Sequence, residues 1–102
     1  MDVDSIECNA KEAASLLKAL SNEKRLLIVC ALYKGEKSVG ELEVIVDLSQ
    51  SALSQHLARL RADELVSTRR SAQTIYYSLN HEAINSVIKC LCSVYNSKEE
   101  LA

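Results

Sequence analysis

Ser49, Gln50, Ser51, Ser54, Gln55, His56, Arg59 and Arg61 form the group in this sequence whose types and spacing could do chemistry. That chemistry is recognition rather than turnover. Amides and hydroxyls match the donors and acceptors on base edges in a DNA groove, and arginines suit guanine or phosphate. Leu53, Leu57 and Leu60 recur among them at the spacing of one buried helical stripe. An ordinary solvated face would carry Glu and Lys, and this stretch has neither. For His56 the alternative is packing at the side of the helix; for Arg59 and Arg61 it is pairing with Asp63 or Glu64. A second polar group, Arg69, Arg70 and Gln73, follows shortly after and suits phosphate or minor-groove contact. An enzyme is not expected. There is no Gly-rich phosphate loop and no clustered acid–base set, and His56 and His81 are the only histidines. No cofactor is expected either.

These side chains need a scaffold. Residues 9–20 carry Ala13, Leu16, Leu17 and Leu20 on one stripe, which predicts a helix. Ser21 or Asn22 caps the next helix, which runs to about Tyr33 with Leu26, Leu27, Cys30 and Ala31 inward. Gly35 closes it as a C′ residue. Ser38-Val39-Gly40-Glu41 has the spacing of a capping box and opens a helix carrying Leu42, Ile45 and Val46. The connection Asp47-Leu48-Ser49 is short enough to join that helix and the one from about Gln50 to Arg61 into a helix-turn-helix. Leu65 to Arg69 and Thr74 to Leu79 read as strands around the polar turn Arg70-Ser71-Ala72-Gln73, a hairpin with two arginines near its tip. The last helix, from about His81 to Ser97 with Asn80 as cap, spaces Ile84, Val87, Ile88, Leu91, Val94 and Tyr95 three and four apart. Such a stripe can fold onto its own domain or pair with a copy of itself. Pairing is the expectation, with Ile84, Val87, Ile88, Leu91 and Tyr95 at a homodimer interface. The predicted class is mainly α (α+β): a winged helix-turn-helix of four helices, a β-hairpin and a fifth helix. Residues 1–102 read as one domain, with 1–8 expected as a flexible N-terminal segment and 98–102 as a flexible tail.

Composition agrees. A chain of 102 residues that is 48% hydrophobic supports a core, though a small one that dimerisation would relieve. The net charge of −2 is unevenly spread: residues 1–48 carry −3, residues 49–80 carry +2 and residues 81–102 carry −1. The segment that would meet DNA is the positive one. No apolar run approaches the ~18 residues of a membrane span, and the acidic N-terminus lacks the features of a signal peptide. Four unevenly spaced cysteines in such a chain suggest reduced thiols and a cytoplasmic protein.

Ser38-Val39-Gly40-Glu41-Leu42 followed by Leu48-Ser49-Gln50-Ser51-Ala52-Leu53-Ser54-Gln55-His56-Leu57 resembles the ArsR/SmtB family of bacterial winged-helix repressors. Leu17-Lys18-Ala19-Leu20-Ser21 before it and Gln73-Thr74-Ile75-Tyr76-Tyr77 after it extend the resemblance to nearly the whole chain. The family implies a homodimer on double-stranded operator DNA that responds to an inducer. Within it the chain looks most like the BigR/SqrR/YgaV/HlyU-like branch, associated with sulfide, persulfide or oxidant sensing or with virulence control. That resemblance implies a switch by oxidation or persulfidation at Cys30, alone or with Cys92, and a reactive sulfur species or oxidant as effector. The branch's second cysteine falls at Asn96 here, and Cys92 lies one turn earlier on the same side of the last helix. The metal-sensing branches match poorly. Glu41 to Asp47 holds no cysteine, and of His81, Ala83, Val94 and Ser97, the positions of a zinc site in the last helix, only His81 could ligate. No metal site is expected. Two alternatives stay open: an anti-repressor controlling virulence or biofilm genes without its own inducer, and a metal(loid)-responsive repressor using Cys8, Cys90 and Cys92.

Overall fold

A computed structural model describes the backbone from Val3 to Tyr95 and the side chains from Asn9 onward. The elements are α1 (Val3–Leu20), α2 (Glu23–Tyr33), β1 (Lys37–Ser38), α3 (Val39–Val46), α4 (Gln50–Ala62), β2 (Val66–Ser71), β3 (Thr74–Leu79) and α5 (Glu82–Tyr95). This is the expected winged helix-turn-helix. The side chain of Cys8, residue Asn96 and the tail 98–102 lie outside the described residues.

Local chemistry explains most of the boundaries. The Asn22 side chain accepts from the Lys24 and Arg25 amides, each at 3.0 Å, and caps α2. Arg25 Nε in turn donates to the Ala19 carbonyl at 2.7 Å, tying the end of α1 to the start of α2. Gly35 follows α2 at φ 142, a backbone that side chains resist. The capping box on α3 is complete, with the Glu41 amide donating to Ser38 Oγ at 3.1 Å and the Ser38 amide to Glu41 Oε1 at 2.9 Å. Asp47, in the left-handed region at φ 52, ends α3, and Ser49 Oγ accepts from the Ala52 amide to start α4.

The core joins every layer. Ile28, Leu42, Leu53, Leu60, Ile84 and Ile88 are wholly buried, each contributing about 1.5–3 kcal/mol by leaving water. α2 is the central helix, packed against α1, α3, α4, α5 and β3. Its inward residues are Ile28, Val29, Ala31 and Leu32. Leu27, expected inward, is exposed, and Cys30 is half-buried. The run from Leu26 to Leu32 is apolar at every position, so periodicity there carries no phase. Ala13, Leu17 and Ile45, also expected inward, are exposed as well.

Four further expectations are corrected. α1 begins at Val3, six residues ahead of the start at residue 9 that the leucine stripe predicts. The sheet has three strands, in the order β1-β3-β2, because Lys37 and Ser38 pair with Tyr77 and Tyr76. Two residues are too few to announce a strand in sequence. The hairpin turn is narrower than expected: β2 runs through Ser71, which pairs with Thr74 and leaves only Ala72-Gln73 to turn. His81, rather than Asn80, opens α5: its Nδ1 accepts from the Ala83 amide and its carbonyl from the Ile84 amide. The Asn80 amide is held instead by the Leu65 carbonyl.

Candidate nucleic-acid interface

α4 presents two unlike faces. Leu53, Leu57 and Leu60 are buried, while Gln50, Ser51, Ser54, Gln55, Ala58, Arg61 and Ala62 are exposed. At 100° per residue, Ser51, Gln55 and Ala58 lie opposite the leucines, with Ser54 beside them. No acid occurs from Ser49 to Ala62. Such a surface is short, uncharged along its middle and rigidly mounted, as base-edge reading requires. Ala58 was not anticipated from sequence. Its methyl group at the centre of this face suits contact with a thymine methyl, a signal available only once the face is defined.

The remaining expected contacts divide. Ser49 is committed as the N-cap of α4. His56 is half-buried on the flank of the helix; burial, then the charge of Arg25, lowers its pKa, so it is neutral near pH 7. Arg59 Nε donates to Asp63 Oδ2 at 2.8 Å, one turn on. Among the described residues, Arg61 and Arg70 have no ion pair.

On the wing, the two arginines have separate surroundings. Arg70 pairs with Ile75 across the hairpin and shares its face. Ile75 lines a groove of about 470 Å³ with Ser38, Gly40, Glu43, Gln50 and Gln73, between the starts of α3 and α4 and the wing tip. Arg69, on the opposite face, is already engaged. Its Nε and Nη2 donate to the two Glu36 oxygens, both at 2.8 Å, and its guanidinium lies 4.4 Å from the centre of the Tyr76 ring. That fork lowers the Glu36 pKa and raises that of Arg69. Arg69, expected at phosphate or the minor groove, is thus held by a carboxylate three residues ahead of α3, which no sequence spacing links to the wing.

A second site lies behind the sheet. Cys30 and Cys92 line one cavity of about 330 Å³ with Leu27, Ala31, Ile45, Lys34 and Lys37. Both thiols are free, as is exposed Cys90. Burial first, then proximity to Cys92, raises the Cys30 pKa, and Lys34 partly opposes this. Among the described residues no three His, Cys, Asp or Glu side chains are grouped to hold a metal ion. No described helix is long and apolar enough to cross a membrane.

The expected interface residues of α5 also divide. Ile84 and Ile88 are wholly buried in the protomer's own core, because α5 packs against α2, and so present nothing to a partner. Val87 and Leu91 are half-buried, and Tyr95 is 78% exposed. Val94 at 62% and Leu17 of α1 at 58% join them as large apolar groups left in water.

Comparison with known proteins gives these features a setting. Residues 22–68 match the family model described as "Bacterial regulatory protein, arsR family". The transcriptional activator HlyU of Vibrio cholerae is 50% identical over 95 residues, covering 93% of this chain and 88% of that one. The structure of reduced HlyU from Vibrio cholerae superposes with a TM-score of 0.85, covering 89% of this chain and 96% of that one. The transcriptional repressor BigR of Xylella fastidiosa, at 40% identity, superposes with a TM-score of 0.89, covering 93% and 97%. The homodimeric winged helix-turn-helix DNA-binding domain of Mb0332 from Mycobacterium bovis, 25% identical, gives 0.76, covering 97% and 92%.

Proposed function

Since the chain belongs to the arsR family of bacterial regulatory proteins, a DNA-binding transcriptional regulator, we propose that it acts as a cytoplasmic homodimeric repressor without catalytic activity. The observation that carries the reading is the outward face of α4, polar, free of acids and mounted on three buried leucines. Ser51, Ser54, Gln55 and Ala58 read base edges in a major groove. Gln50 and Gln73 reach the backbone from the groove beside the wing, and Arg61 and Arg70 add phosphate contacts. Ser49, His56 and Arg59 hold the helix rather than read the base pairs. In the dimer, Val87, Leu91, Val94 and Tyr95 of α5 and Leu17 of α1 lose their exposure, and the two α4 helices sit about 34 Å apart on an operator dyad.

The effector reading rests on Cys30 and Cys92 sharing one cavity. A persulfide gives its outer sulfur to the Cys30 thiolate and leaves as a thiolate. Cys92 as thiolate then attacks the inner sulfur of the new Cys30 persulfide, closing a disulfide and expelling hydrosulfide. The altered packing shifts the dimer between states of different DNA affinity. A second reading, activation by displacing another DNA-binding protein, is favoured by the naming of HlyU as an activator. It uses the same α4 surface and reverses only the sign of the output, which a promoter fusion with and without the gene reads directly.

The test of DNA reading is a gel shift on the region upstream of its own gene. Ser54→Ala with Gln55→Ala is expected to lose about 10- to 100-fold in specific affinity while non-specific binding stays. Unchanged specific binding in that double variant sinks the assignment.

A further inference from the structure

The segment from Lys34 to Ser38 touches two regions at once. On one side Lys34 and Lys37 line the cavity that holds Cys30 and Cys92. On the other, Glu36 receives both bonds of the Arg69 fork. Arg69 belongs to β2 and Glu36 precedes β1, and β3 lies between those strands in the sheet. The guanidinium therefore crosses the ring of Tyr76 on the central strand to reach its partner, making a clasp over the outer face. The segment has few independent freedoms. Lys37 Nζ donates to the Gly35 carbonyl at 3.1 Å, Lys37 and Ser38 are paired to Tyr77 and Tyr76, and Ser38 is locked into the α3 capping box.

A persulfide sulfur on Cys30, or the Cys30–Cys92 bond that replaces it, changes the packing of this cavity of about 330 Å³. Buried Ala31 backs the cavity on α2, in a close-packed core that resists displacement. Lys34 and Lys37 form a side built of long, adaptable chains. Displacement there moves the two residues between them, Gly35 and Glu36, and Glu36 takes Arg69 with it.

We propose that the Glu36–Arg69 clasp across Tyr76 is the element that carries the state of the Cys30/Cys92 cavity to the wing. Glu36 and Arg69 are thus positioning residues for DNA binding rather than DNA contacts. In one cavity state the clasp holds the wing at the angle that aligns Arg70 and Gln73 with the duplex. In the other, the shifted loop draws β2 with it and the wing loses that alignment. The inference rests on the thiol-switch reading above.

The experiment measures the affinity of the full-length dimer for its upstream region by fluorescence anisotropy, before and after a persulfide donor, with intact mass reporting the modified thiols, as a gained sulfur for the persulfide or two lost hydrogens for the disulfide. The wild-type ratio between the two states is expected at about 5- to 150-fold. Glu36→Gln removes the charged acceptor. Arg69→Lys keeps the charge but loses the two-pronged fork. In both variants the thiols are expected to be modified as fully as in wild type and the protein to melt within a few degrees of it, while the ratio falls by about threefold or more. A purely electrostatic role for Glu36 would move both affinities together and leave the ratio intact. A switching wild type whose full ratio survives in either variant overturns the clasp alone. A wild type whose thiols are modified yet which binds DNA unchanged overturns the switch, and the clasp with it.

Discussion

α4 and α5 are helices of similar length, 13 and 14 residues, and each buries one stripe in the same core, yet their outward faces differ in kind. α4 turns out hydroxyls, an amide and a methyl, and the short side chains of Ser51, Ser54 and Ala58 lose little freedom on contact. α5 turns out Val94 and Tyr95, with Val87 and Leu91 half-covered beneath them. The first surface is at ease in water and gains only from a partner with matching polar edges. The second gains from any dry, complementary cover. In the proposed dimer the contrast separates two jobs: α5 sets where the second copy sits, and that placement sets the spacing of the two α4 faces.

Breaking what the two helices share should have the largest effect. Leu53 is wholly buried beneath the α4 reading face. Leu53→Ala is expected to cost about 2–5 kcal/mol in urea unfolding, through lost burial and the cavity left behind. A loss below 1 kcal/mol would show that the face is not mounted on the core. Next comes the α5 face alone. Val94→Glu with Tyr95→Glu is expected to yield a folded monomer by sedimentation and to weaken operator binding about 100-fold, since two linked half-sites become one. A dimer that survives both charges places the interface elsewhere.

A smaller change sharpens the difference between reading and holding. Arg70→Gln should weaken binding to all sequences alike and reduce the slope of log affinity against log salt by about 0.9. A change in sequence preference instead would move Arg70 into the reading group. The smallest effect concerns the thiols. Burial and Cys92 both favour the protonated form of Cys30, so its folded pKa lies above the ordinary thiol value. Its alkylation, followed by peptide mass mapping, should rise with pH along a curve displaced to higher pH than that of an ordinary exposed thiol. Cys92→Ser removes one raising cause and should move the curve back down. A Cys30 that alkylates fully at pH 7 contradicts that environment.

Much of the reading side was legible in the sequence because its determinants are local. The S-x-x-E box, the glycine after α2 and the leucine stripe of α4 each act within a few residues, and each stands where its chemistry puts it. The failures share a different cause. The inward face of α2 is illegible because apolar residues fill nearly every position. Ile84 and Ile88 follow the same stripe as Leu91, and only the placement of α2 decides which part of that stripe the protomer keeps for itself. Glu36 and Arg69 are 33 residues apart, and no spacing rule links them. The thiol cavity has the same origin: Cys30 and Cys92 meet because the fold brings α2 and α5 together, while resemblance alone had suggested the pair.

The sheet order leaves β2 with one open edge, exposed from Ser67 onward. A bare strand edge is a template on which another chain can lay a strand of its own, and the rest of a small regulator offers little to cover it. Here two consecutive arginines, Arg69 and Arg70, stand on that edge and project to opposite faces of the hairpin. A second copy approaching edge to edge would bring like Arg70 charges together, while Arg69 is already compensated by Glu36. That repulsion is expected to discourage strand-to-strand pairing off DNA, and replacing Arg70 is expected to show first as precipitation at high concentration, with the melting temperature little changed.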